Sequence, residues 1–286
     1  MGSFIRPALL QKVVPVRLRS AVTATVVALT VSVAPTMAAE AAPKKPSFKV
    51  SVSIPTSTAD VGTSIRVSGK VSGPRAAKKR LVVQRKVGAG RWTTVRKVTT
   101  TSKRRYSTSV KVTTAGAQQF RVVAPASKKA RQGVSRTRSL TGWRWLDVST
   151  AGAVENLARG TATLDGRRHA GAWITPDSNQ GMMFATTAGR CDLLTVGVGV
   201  QSTDPTDAAQ LMVMQATTWA GDDVVAGSMQ YVTVRAGLVQ TRVPVKRQSQ
   251  AIGVMVDADS GAQGVVVAPR LHCSLNSLPR TTVPAL

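Results

Sequence analysis

The feature that most limits this chain is a period of two. From Phe48 onward, short runs alternate apolar and polar residues and are separated by turns, several of them rich in Gly or Pro. Alternation sends successive side chains to opposite faces of a strand, so each run offers one face to a core and the other to solvent. In RLVVQRKV, Leu81, Val83 and Arg85 alternate with Val82, Gln84 and Lys86, and the long basic stems can cover the solvent side. In CDLLTVGVGV, Leu194, Val196, Val198 and Val200 share one face. Ile252, Val254 and Val256 do the same, with Gly253 and Met255 opposite.

The spacing predicts strands over 48–54, 65–71, 80–87, 92–99, 106–112, 118–124 and 134–140. Seven short strands in about 94 residues fit an immunoglobulin-like (Ig-like) sandwich without its disulfide. A second series is predicted over 144–148, 160–164, 170–174, 181–187, 191–200, 208–217, 229–235, 239–245, 251–257 and 264–271. That density, with no convincing helical period, fits a two-sheet jelly-roll sandwich. Asp165-Gly166 reads as a two-residue hairpin turn. The fold class is therefore all-β, an Ig-like domain over 48–141 followed by a jelly roll over 142–275. The tail 276–286, with two prolines, is expected to be disordered.

The beginning reads as a secretory signal over 1–41. Arg6, Lys12, Arg17 and Arg19 precede the apolar run AVTATVVALTVSV, and Ala39-Glu40-Ala41 suits cleavage. The apolar run is shorter than the roughly 20 residues a spanning helix needs, so no transmembrane segment is expected in the mature chain. A short Pro/Lys linker covers 42–47. In an exported chain the only two cysteines, Cys191 and Cys273, are most simply a disulfide, with two buried thiols as the alternative. Such a bridge would close a loop of about 80 residues, worth roughly 4 kcal/mol in chain entropy.

Charge divides the chain. Residues 42–141 carry 24 Lys and Arg against one acid, Asp60, whereas 142–286 carry 11 of each sign. The first segment should attract polyanions in a salt-sensitive way. The candidate polyanion-binding residues are Lys78, Lys79, Arg80, Lys103, Arg104 and Arg105, in runs that fall mostly on turns. Trp92 and Tyr106 are the only aromatics there with polar handles, too few for base stacking, so no specific nucleic-acid partner is expected.

Sequence patterns also carry two resemblances. VSGKVSG, LVVQRKVGAGRWTTV, YSTSVKVTTAGAQQFRVVAPAS and GVSRTRSL resemble the Ig-like modules of exported bacterial surface proteins, with Gln84-Arg85, Trp92, Tyr106, Ala115-Gly116, Phe120-Arg121 and Ser135-Arg136-Thr137 at the matching places. That resemblance implies a spacer or adhesive role. The second half resembles the novel putative carbohydrate-binding modules (NPCBM) of the galactose-binding-like class. Trp145-Leu146-Asp147, the hairpin from Arg159 to Arg167, the strand from Cys191, Gln210 to Val213, Ala251 to Val256 and the closing Pro269-Arg270-Leu271-His272-Cys273 carry it. It implies a glycan or cell-wall polymer as partner. The sequence departs from the family pattern at Val265-Val266-Val267-Ala268 and at Leu194.

Sugar rings are gripped by aromatic faces flanked by hydrogen-bonding groups. Trp173 in GAWITPD and Trp219 in TTWAGDD, with Asp222 and Asp223, are the glycan candidates, whereas Trp143 and Trp145 are expected to be buried at the domain junction. No catalytic, metal or cofactor site is assigned. Neither H-E-x-x-H, G-x-S-x-G nor a phosphate-binding loop occurs; His272 reads as a surface or packing residue and His169 as a loop residue. Asp222, Asp223, Asp257 and Asp259 are the acids a minimal glycan hydrolase would need, although both pairs read first as turns. The expectation is a secreted, non-catalytic binding protein of the cell envelope or the extracellular space. The alternatives are a structural envelope protein without glycan binding, or the hydrolase.

Overall fold

The computed structural model describes residues 45–150, 153–176, 180–220, 223–235 and 237–280. The segment read as a secretory signal and the first part of the expected linker lie outside the described residues. The chain is all-β. In order the strands are β1 (Lys49–Val50), β2 (Thr58–Asp60), β3 (Ser64–Ser72), β4 (Arg80–Val87), β5 (Thr93–Thr99), β6 (Arg105–Lys111), β7 (Gly116–Ala124), β8 (Gly133–Val134), β9 (Arg138–Asp147) and β10 (Ala153–Glu155). They continue as β11 (Ala158–Leu164), β12 (Arg167–Ile174), β13 (Gln180–Thr186), β14 (Cys191–Gln201), β15 (Ala209–Ala220), β16 (Asp223–Val234), β17 (Leu238–Pro244), β18 (Ala251–Ala258) and β19 (Gln263–Cys273).

Three sheets result. One is three-stranded, β1-β3-β6, and one five-stranded, β10-β13-β18-β15-β16. The third is a long eleven-stranded sheet whose spine runs β11-β12-β19-β9-β7-β4-β5, with β14, β17, β2 and β8 beside it. Phe120, Leu81, Val83, Val67, Val122 and Leu140 close one core, and Leu194, Val196, Val198, Leu211, Ile252 and Val256 another. These are the residues that alternation turns inward. A smaller cluster of Ala162, Leu164, Ala172 and Val265 lies under the β11–β12 hairpin. That hairpin turns at Asp165 and Gly166, both with positive φ (51° and 71°), as the Asp-Gly signal requires.

β9 joins the two halves. Its first residues pair with β7 (Phe120↔Arg138, Gly116↔Gly142) and its last with β19 (Arg144↔Cys273, Asp147↔Arg270). The sequence places strand ends near 140 and 144, with Gly142 between. The strand instead runs through, because Gly142 marks a close approach of backbones. A Cβ there would meet the Thr114 carbonyl oxygen at 2.3 Å. Two expectations need correction here. Trp145 is not buried at the junction but 40 % exposed. The expected disordered tail is ordered at its start: the Ala115 amide donates to Asn276 Oδ1 (2.9 Å), and Leu278 is buried in the second core.

The disulfide is present. Cys191 opens β14, Cys273 closes β19, and the two face each other across that pair with Cα atoms 4.0 Å apart.

Tyr106 ties the edge of the first sandwich. Its phenol donates to the Ser51 carbonyl oxygen (2.6 Å), passing Gly69, where any side chain would collide with both groups. Burial pushes this phenol well above the usual tyrosine range. The folded chain holds the proton more tightly than the unfolded chain. The stabilisation is therefore complete below about pH 10, the ordinary tyrosine value, and lost as pH rises toward the raised folded value. Tyr106→Phe should lose about 1 kcal/mol at neutral pH. In urea melts it should then show a shallower decline than the parent above about pH 10. Parallel declines would refute this assignment.

Candidate polyanion interface

Register fixes where the basic turns gather. β9 leaves for β19 from the end of the sandwich at which Gly116 opens β7, so Ala124 lies at the far pole. Antiparallel pairing brings Arg80, Thr99, Lys70 and Arg105 toward that same pole (Val82↔Val123, Arg80↔Thr99, Lys70↔Arg105). The connections over 73–79, 100–104 and 125–132 therefore meet there. The Thr100 amide donates to the Lys79 carbonyl oxygen (2.9 Å), the Thr100 hydroxyl to that of Ala76 (2.7 Å), and the Val71 amide to that of Arg104 (3.0 Å). These bonds place Lys78, Lys79, Arg80, Lys103, Arg104 and Arg105, read as separate runs in the sequence, at one pole of the first sandwich.

Local backbone is strained in the same turns. Arg75, Lys78 and Arg104 adopt φ of 55°, 54° and 59°, a region where Gly or Asn is the economical choice. Each such residue costs on the order of 1 kcal/mol, and strain of this kind collects at functional positions.

The outer face of the three-stranded sheet continues the positive surface. In SIRVSGKVS and RYSTSVK, alternation buries Ile65, Val67, Val71, Tyr106 and Val110. It leaves Arg66, Lys70, Arg105 and Lys111 exposed among Ser64, Ser72, Ser107 and Ser109. β1 adds exposed Lys49, and exposed Ser51 follows it. Among the described residues no Lys or Arg makes an ion pair; the recorded carboxylate pairs both belong to His272. The one acid of the basic half, Asp60, is at the opposite pole in β2, beside Trp143 of β9.

There Asp60 meets His272. Its Oδ1 lies 3.0 Å from His272 Nε2, while Asp192 Oδ1 lies 2.7 Å from Nδ1. Trp143 stacks on the imidazole at 5.1 Å and Trp145 tilts against it at 4.9 Å. Only the imidazolium donates to both carboxylates. This cluster welds β2, β9, β14 and β19 together. Its two carboxylates sit on opposite nitrogens of the ring and do not converge on one point, and among the described residues no metal-binding cluster of His, Cys, Asp or Glu occurs. The sequence reads His272 as a surface or packing residue; it packs, with two carboxylates that no local pattern reveals.

The glycan candidates lie on different strands. Trp173 lies in β12, half-buried against the second core, with the Arg159 guanidinium 5.5 Å over its ring. Trp219 falls just past the predicted strand 208–217 but lies in β15, paired with Val224, because the β15–β16 hairpin extends to Ala220 and Asp223. Asp222 falls outside the described residues. Asp257 sits in β18 opposite Gln210, and Asp259 accepts from the Ala208 amide (2.7 Å), holding the turn that follows. His169 lies in β12 opposite Ala162. Trp92 is covered by the Arg121 guanidinium at 4.2 Å, and Tyr106 is buried.

No helix among the described residues is long and apolar enough to cross a membrane. The chain matches no family model, and no curated protein matches it.

Proposed function

We propose that this is an exported, non-catalytic binding protein whose basic N-terminal sandwich docks on an anionic surface or polymer. Its second sandwich is a carbohydrate-binding-like module. The observation that carries the reading is the unpaired state of the cations. With no carboxylate to neutralise them, their field is available to a partner, and salt is its natural competitor. The covered ring of Trp92 and the buried ring of Tyr106 favour backbone charge over base stacking as the recognised feature. The engagement of Asp259 in the turn after β18, and of Asp60 and Asp192 in the His272 cluster, supports the non-catalytic reading.

A second reading is a structural envelope protein with no glycan site. It is favoured by the half-buried Trp173 under Arg159 and by the use of Trp143 and Trp145 on His272.

The test separates binding from stability. Lys78→Asn and Arg104→Asn remove charge at left-handed positions that Asn tolerates. Together they should leave the thermal midpoint unchanged or raised, while weakening retention of the whole protein on immobilised teichoic-type polymer several-fold. Unchanged retention would refute the docking surface. Retention on neutral polysaccharide that outlasts high salt would instead favour the glycan module.

A further inference from the structure

We propose that the shallow pocket between β3 and β6 is a subsite for one phosphodiester of a polyol-phosphate polymer. This rests on the polyanion reading above and names the class of polymer. The pocket, about 350 Å³, is lined by Arg66, Ser68, Lys70, Thr101, Arg105 and Ser107. Its cations come from both strands, with Lys70 directly opposite Arg105. No acid lines it. Three cations around one concavity supply the charge-assisted donors a tetrahedral oxyanion needs.

Arg66 is oriented for this. Its Nε donates to Ser107 Oγ (2.9 Å), which fixes the guanidinium and leaves its terminal N–H groups for a ligand. The floor is fixed as well, since the Tyr106 phenol beneath is bonded to Ser51.

Hydroxyls separate the cations in register. Ser68 faces Ser53 on one side and Ser107 on the other, a cross-strand row flanked by Arg66 and by the Lys70–Arg105 pair. Neighbouring rows on a strand are about 7 Å apart. A serine hydroxyl accepts as well as donates, so such a row has partners to offer a hydroxyl-bearing link between phosphates and only half of them to a bare phosphate chain. Lys70 also belongs to the adjoining groove of about 390 Å³, where Lys49, Lys103 and Arg104 stand at the next row. The track thus leads from the pocket to the basic pole, which suits a linear ligand rather than an isolated ion.

The experiment uses the whole protein and two probes, a short poly(glycerol phosphate) and a polyphosphate with the same number of phosphates, titrated by calorimetry at one salt concentration. Arg66→Gln with Lys70→Gln should weaken both probes at least tenfold. Ser68→Ala should weaken the glycerol polymer about threefold and leave polyphosphate unchanged. All three positions are exposed or half-exposed, and melting curves confirm the fold. If the charge variant binds both probes like the parent while Lys78→Asn/Arg104→Asn weakens them, the pocket is overturned and the docking pole stands. If the parent binds neither probe, both readings fall. If Ser68→Ala affects both probes equally, or neither, the polyol assignment is overturned.

Discussion

Raising salt from about 50 to about 200 mM is expected to weaken binding of the whole chain to an anionic polymer by a factor on the order of 10³. The reasoning is counterion release. Each phosphate neutralised by a Lys or Arg frees condensed counterions, and for single-stranded nucleic acid the logarithm of affinity falls by about 0.7 per contact for each decade of salt. The basic pole and the adjoining sheet face supply about seven such contacts, counting Lys78, Lys79, Arg80, Lys103, Arg104, Arg105 and Lys70. The slope is then near 5, and a fourfold rise in salt multiplies through to about 10³. The effect is this large because the basic half carries a single acid, Asp60, and His272 engages it at the other pole. Neutralising Lys78 and Arg104 should lower the slope by about 1.4, uniformly across polymers of different chemistry. A flat salt response would mean that the cations face solvent and nothing else.

The strands that alternate strongly were legible from sequence. β4 has the bounds its pattern predicts, and β14 buries Leu194, Val196 and Val198 completely, as their shared face requires. Shorter elements were not legible. β2 and β10, of three residues each, are too brief to show a period and exist because partners hold them, β2 lying parallel to β9 and β10 antiparallel to β13. Gly142 misled in the other direction, since a glycine inside a strand signals a close contact as readily as a boundary. The basic runs were visible, but their convergence was not, because it depends on the register of β4, β6 and β7. The serine rows were present in SIRVSGKVS and RYSTSVK all along; a reading directed at the apolar face passes over what the other face carries. For His272 the useful signal was a scarcity: a segment with a single acid has a reason to keep it. Its partner lies 212 residues away in sequence, and no spacing rule reaches so far.

Removing the disulfide is expected to be the most damaging small change to the fold. Cys191 and Cys273 are buried and close a separation of 82 residues. In the chain-entropy account that link destabilises the unfolded state by about 4.5 kcal/mol, less whatever residual structure the reduced unfolded chain keeps. For a domain of this size each kcal/mol moves the midpoint by roughly 2–4 °C, so Cys191→Ala with Cys273→Ala should melt on the order of 10 °C lower. Position adds a second consequence. Cys273 is the last residue of β19 and pairs with Arg144 of β9, next to the His272 ring that Trp143 and Trp145 enclose. Without the bridge, the end of β19 is held by ladder bonds, that ring stack and the contacts of His272 with Asp60 and Asp192, and segments of lower local stability open first. Tryptophan emission, dominated at the seam by Trp143 and Trp145, should therefore change at a lower temperature than far-ultraviolet circular dichroism in the double variant, whereas the two should coincide in the parent. A variant that melts within about 2 °C of the parent, with both probes together, would show that β14 and β19 hold their register without the covalent link.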